Sequence, residues 1–143
     1  MSDPEIATLI TQTCLAVRVR MLNRVITNLY DEALRPLGLK VSQLNILAVT
    51  ARLGVARPAE VCQLLLLDTS TLSRNVKRMQ GYGWLEVVPE GDRRSQPFQL
   101  TAAGWHLLER TLPLWEQAQT RARSLLGADG ERVLCELESS LGQ

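Results

Sequence analysis

The 143-residue sequence is poor in the side chains that carry most protein chemistry: it has one histidine and three cysteines. Cys14, Cys62 and Cys135 are odd in number and far apart, so they offer no closed disulfide set. With His106 as the sole imidazole, no zinc site of ordinary ligand spacing is available either, and neither a metal nor a cofactor is expected. Catalysis lacks its parts as well. No Ser/Cys and His constellation, Gly-rich phosphate loop or paired-carboxylate motif is present, His106 reads as a solvated or packed helix residue, and Glu136 and Glu138 read as helix-surface acids. Long apolar runs are missing: the densest, Leu64 to Leu67, stops at Asp68, far short of the roughly 20 residues of a membrane span. Met1 to Glu5 carry acid where a secretory signal would carry base, so a cytoplasmic chain with reduced thiols is expected. Nor does one charge dominate. The 16 Lys+Arg and 15 Asp+Glu leave +1, which excludes a uniformly cationic surface and makes any anion-binding face local.

What is present is an ordinary folded composition, 45% hydrophobic and 22% charged, without repeats, low-complexity segments or a flexible linker. A single domain over residues 1–143 is expected, large enough to bury a core without staples. Ile10, Cys14, Val17, Met21, Val25 and Leu29 recur at helical spacing and predict one long helix from Pro4 to about Leu34, ended by Arg35-Pro36-Leu37-Gly38. Such a helix would span ~45 Å, against a radius of gyration of about 14–15 Å for a globule of this length. It should overhang its own domain and bury its apolar stripe against a second copy of the chain, the alternative being a bent helix that wraps one domain.

Ser42 is placed to cap a second helix through Leu53, Pro58 to open a short third, and Asp68 to cap a fourth over Thr69 to Gln80. Trp84 to Val88 and Phe98 to Leu100 read as a hairpin with a charged tip at Glu90 to Gln96. Thr101 caps a fifth helix that Pro113 should kink, Ala128 to Gly130 makes a break, and Glu131 to Leu141 forms the last helix. The fold class is therefore mainly α with a small β-hairpin, and helix, sharp turn, helix, hairpin is the winged helix-turn-helix order.

The fourth helix spends Leu72, Val76 and Met79 on packing and leaves Thr69, Ser70, Thr71, Ser73, Arg74, Lys77 and Arg78 on the other side. Hydroxyls and guanidinium groups in that array bond base edges or phosphates in a major groove. The hairpin tip adds Arg93 and Arg94 beside Asp92, which can steady a guanidinium in a narrow minor groove. Between Thr69 and Gln96 five cations meet three acids, a local excess in a nearly neutral chain.

Glu60-Val61-Cys62, Leu65, Asp68 to Arg74, Gly83, Asp92-Arg93-Arg94 and Leu100 to Gly104 together resemble the multiple-antibiotic-resistance regulator (MarR) family, as does Pro36-Leu37-Gly38-Leu39 followed by Gln43. The resemblance covers nearly the whole chain. It implies a homodimeric regulator, usually a repressor, with residues 1–36 and about 113–143 as dimerisation helices and about 42–101 as the winged helix-turn-helix. Its partner would be double-stranded DNA with a pseudo-palindromic operator. It also implies that Arg94 enters the minor groove while Asp92 orients it, and that a small aromatic or phenolic inducer binds between dimerisation and winged parts. Arg18, Arg20, Arg24, Tyr30, Trp105 and Trp115 are the candidate lining groups. Two alternatives stay open: a redox-responsive regulator using Cys14 or Cys135, with Arg18 and Arg20 favouring a thiolate at Cys14, and a winged-helix module whose fourth helix docks on protein. Cys62 reads as structural.

Overall fold

The computed structural model describes residues 1–90 and 96–142. Its elements are α1 (Asp3–Thr13), α2 (Leu15–Leu34), α3 (Val41–Leu53), α4 (Pro58–Leu65), α5 (Thr69–Gly81), β1 (Leu85–Val87), β2 (Phe98–Leu100) and α6 (Ala102–Leu141), with a 3-10 turn at Arg35–Leu37. Among the described residues no helix is long and apolar enough to cross a membrane.

The predicted first helix is two. The chain leaves helical geometry at Cys14, with φ −63° and ψ 117°. Neither glycine nor proline signals that break. Thr8, Thr11 and Thr13 turn their hydroxyls back onto the carbonyls of Pro4, Ala7 and Leu9 before it, as Thr50, Thr111 and Thr120 do inside α3 and α6 without breaking them. The Arg18 guanidinium then donates to the Gln12 carbonyl that the break sets free.

Ser42 is not the cap of α3, which begins one residue earlier. Its first amides are met from elsewhere: Val41 N donates to Asp31 Oδ1 on α2 at 2.8 Å, and Lys40 N donates to Gln43 Oε1 at 3.0 Å. Pro58 does open α4. That helix closes through Leu66 in the left-handed region, with Leu67 N donating to Cys62 O at 3.0 Å. Asp68 occupies the N-cap position of α5, but its side chain makes no capping bond.

β1 and β2 pair antiparallel, Leu85 opposite Leu100 and Val87 opposite Phe98, shorter at the first strand than predicted. Ala56 adds a third rung by exchanging bonds of 2.8 and 3.0 Å with Phe98, which joins the hairpin to the α3–α4 connection. Phe98, the only phenylalanine, is buried with Leu34, Leu39, Ile46, Leu47, Val61, Leu72 and Met79 in one core.

Thr101 does cap α6, its hydroxyl accepting from Gly104 N at 3.0 Å. Pro113 is absorbed without leaving helical geometry; the interruption falls at Gly127, with φ 72° and ψ 168°, just before the predicted break. Leu107, Thr111, Ala118 and Ala122 are buried, and α6 lies along α2. Between those helices the Tyr30 hydroxyl donates to Gln119 Oε1, and burial pushes the phenol up, so it remains a donor. Beyond Gly127 no residue of α6 is buried, and none of α1 is.

Two backbone sites give opposite predictions. A Cβ on Gly104 would stand 2.2 Å from the Trp84 carbonyl oxygen, so Gly104→Ala should cost about 1–3 kcal/mol in denaturant unfolding. Leu66 is left-handed at φ 51° yet 91% exposed, so Leu66→Gly relieves strain with little packing lost and should raise stability by about 0.5–1 kcal/mol. A lower denaturation midpoint for that variant would show that the side chain has a contact worth the strain.

Candidate nucleic-acid interface

Helix α5 is held from one side only. Leu72 and Met79 are buried and Val76 is half-buried, spacing that fixes its rotation about its own axis. Its C-terminus is stitched to the hairpin by Trp84 N, which donates to Met79 O at 3.0 Å after Gly83 turns the chain at φ 79°. The opposite face carries the predicted polar set. Thr69, Ser70, Ser73, Arg74, Lys77 and Arg78 are exposed, and Thr71 is half-buried with its carbonyl accepting from Asn75 Nδ2 at 3.0 Å. None of the ion pairs among the described residues uses Arg74, Lys77 or Arg78, so their charge is directed outward.

The hairpin projects beside this face. Its stem is fastened by a contact that sequence inspection missed: Arg57, the residue before α4, donates from Nη1 and Nη2 to the two carboxylate oxygens of Glu90 at 2.8 and 3.0 Å. The partners lie 33 positions apart with no spacing rule linking them, so no sequence signal could have found the pair. The fork geometry matters more than the charge, since both side chains are substantially exposed, Arg57 at 50% and Glu90 at 39%. These bonds hold the Glu90 carboxyl below the usual carboxylate range. Across the strands Gln99 Nε2 donates to Glu86 Oε1 at 2.8 Å. Asp92, Arg93 and Arg94 lie outside the described residues, so their predicted roles are neither located nor displaced.

The candidate lining groups separate. Trp105 and Trp115 come together with Leu44, Asn45, Ala48, Leu108, Glu109 and Leu112 around a groove of about 590 Å³ between α3 and α6. Arg18, Arg20, Arg24 and Tyr30 do not line it. Cys14 is half-buried at the helix break, Cys62 is half-buried against the core, and Cys135 is exposed. The Arg18 guanidinium expected to serve Cys14 is bonded to the Gln12 carbonyl. His106 is exposed, its Nδ1 4.0 Å from Glu109.

Comparison with known proteins places this geometry. The model of the MarR family matches residues 37–95, from the turn before α3 into the hairpin. The chain is 32% identical to the HTH-type transcriptional regulator PecS of Dickeya dadantii (strain 3937), the match covering 68% of each. It is 28% identical to the multiple antibiotic resistance protein MarR of Escherichia coli (strain K12), over 64% of this chain and 65% of that one. In three dimensions it superposes on the crystal structure of a mutant MarR from E. coli complexed with operator DNA with a TM-score of 0.81 at 24% identity, covering 93% and 96% of the two chains. BpsR of Bordetella bronchiseptica, in a structure addressing regulation of its DNA binding by 6-hydroxynicotinic acid, superposes at 0.80 with 18% identity over 92% and 100%. The latter two likenesses speak for the fold. Family model and PecS match together carry the assignment, and the chain belongs to the MarR family of transcriptional regulators.

Proposed function

We propose that two copies of the chain form a homodimer that reads a pseudo-palindromic operator in double-stranded DNA. One α5 enters each of two successive major grooves, and each hairpin reaches the adjacent minor groove. The observation that carries this reading is the division of α5 into a packed face and an exposed hydroxyl-and-cation face unopposed by acid among the described residues. Thr69, Ser70, Thr71 and Ser73 supply short polar contacts, Arg74 a bidentate one, and Lys77 and Arg78 phosphate contacts. Arg94, oriented by Asp92 and assisted by Arg93, supplies the minor-groove contact.

The dimer is supported by apolar surface that one chain leaves uncovered. Leu9, Ile10, Met21 and Val25 on α1 and α2, with Leu125 and Leu137 on α6, are each about half exposed or more. Monomers seldom leave so much contiguous apolar side chain to solvent, and terminal helices of two protomers packed together would remove it. Action on DNA places the protein in the cytoplasm.

A small aromatic ligand in the α3–α6 groove is the proposed release switch. The groove joins the helix-turn-helix body to the helix that would set the dimer spacing, so occupancy there favours one separation of the two α5 helices over another. With two tryptophans lining it, this groove has a better claim than Cys14, a lone half-buried thiol. Repression, relieved by ligand, is the sign of regulation we infer.

Salt-dependent fluorescence anisotropy on the DNA upstream of the gene, against a scrambled duplex of equal composition, tests the reading. Selective binding at one dimer per site is expected, whereas equal weak binding to both duplexes would favour the protein-docking alternative. Arg74→Ala should lose about 5- to 200-fold in affinity and relax preference at one base pair. Arg94→Ala should weaken binding and lower the salt slope by about one if it meets phosphate. Arg57→Glu should weaken binding by loosening the hairpin stem, and the paired exchange with Glu90→Arg should restore it; an unaltered single variant would remove Arg57 as an anchor of the wing.

A further inference from the structure

The α3–α6 groove has a charge pattern of its own. Trp105, Leu108, Leu112 and Trp115 follow one another at three and four along α6, and Ala48 and Asn45 on α3 form the facing wall. Among the described residues the only ionisable side chain lining it is Glu109, with no lysine or arginine, and Glu109 is paired with neither; the His106 ring lies 4.0 Å from its carboxylate. Thr111 spends its hydroxyl on the Leu107 carbonyl, which leaves the Asn45 amide and the two indole N–H groups as the neutral polar groups able to meet a ligand.

We propose, resting on the reading of this groove as the ligand site, that it takes a planar aromatic cation and discriminates against aromatic carboxylates. Apolar walls strip water from whatever enters, and an anion placed there would lose hydration without gaining a counter-charge. It would also face the carboxylate of Glu109. A cation meets the opposite situation: two indoles attract positive charge electrostatically, and Glu109 supplies the compensating charge at the rim. A volume of about 590 Å³ suits a two- or three-ring ligand. The class is thus the reverse of the aromatic acid named for BpsR, a protein that shares the fold at 18% identity. The partner's apolar helices are the competing occupant, and cover by them would show as Trp105 and Trp115 resonances that no ligand moves; Glu109, 77% exposed at the rim, stays solvated in either case.

The test uses the full-length protein and three ligands of one shape and different charge: 2-naphthamidine, 2-naphthamide and 2-naphthoate. Binding is read from the indole N–H resonances of the three tryptophans, assigned by Trp→Phe variants; Trp84 does not line the groove, so its resonance reports the backbone knot with Gly104 rather than ligand contact. Naphthamidine should shift Trp105 and Trp115 and bind about tenfold more tightly than naphthoate, the scale of one charge interaction near a protein surface. Glu109→Gln should remove most of that preference while leaving naphthamide affinity in place, and Trp105→Ala should weaken all ligands that bind. Naphthoate binding as tightly as naphthamidine would overturn the charge class and leave the ligand site standing. Absence of any shift at Trp105 and Trp115 would overturn both. Naphthamidine binding that leaves operator anisotropy unchanged would support the charge class and refute release.

Discussion

The structure turns on the point where Gly104 meets the Trp84 carbonyl. Three elements end or begin there: α5 through Trp84 N on Met79 O, the hairpin through Thr101 N on Trp84 O at 3.1 Å, and α6 through its Thr101 cap. The Thr101 hydroxyl also donates to Gly83 O, so one side chain ties the turn after α5 to the first turn of α6. Only a residue without Cβ lets the two backbones approach so closely. Because the knot is made of main-chain bonds, α5 and the long helix cannot reorient independently without breaking it. Helix α5, with its exposed cationic face, is in effect mounted on the base of α6, the helix proposed to meet a second copy.

That mounting explains why the apolar surface is distributed as it is. Near the knot α6 buries Leu107, Thr111, Ala118 and Ala122, and the two alanines bring α2 close. Past Gly127 the same helix buries none of its residues, and neither does α1. Arg123 and Glu131, 3.0 Å apart, bridge the interruption at Gly127 and hold the terminal segment in a defined direction. The chain therefore builds its core around Phe98 and exports its remaining apolar side chains to both termini, the arrangement expected when a shared interface completes the fold.

Much of this was legible beforehand, and the exceptions have a common cause. Local signals located α4, α5 and the hairpin, because proline, a capping aspartate position and alternating apolar residues act on the backbone where they stand. The misread positions depend on partners distant in sequence or on side-chain chemistry that patterning ignores. Ser42 lost its capping role to Asp31 of another helix; Pro113 is held helical by a buried face on either side of it; and at the Cys14 break the freed Gln12 carbonyl is met by the Arg18 guanidinium. For the site, the exposed face of α5 was legible residue by residue, whereas Arg57 was not, since its partner lies across a hairpin whose position only the fold supplies. The two tryptophans were legible as ligand candidates, but the arginines were not separable from them by spacing alone, and the groove excludes the latter.

The relation between groove and DNA-facing helix constrains any switch. Trp105 lies one residue past Gly104, so the wall of the groove and the knot beneath α5 belong to the same first turns of α6. On the proposed reading, a ligand that wedged Trp105 and Trp115 away from α3 would act on the helix that carries α5 and on the spacing between protomers at once. Linkage then fixes a reciprocal effect: whatever factor the ligand removes from operator affinity, the operator must remove from ligand affinity. A ligand gripping both arrangements equally would shift nothing, however tightly it bound. The discriminating contacts must therefore be those that change as α3 and α6 part. In this groove they are the indole faces and the Glu109 carboxylate on α6 set against Asn45 and Ala48 on α3.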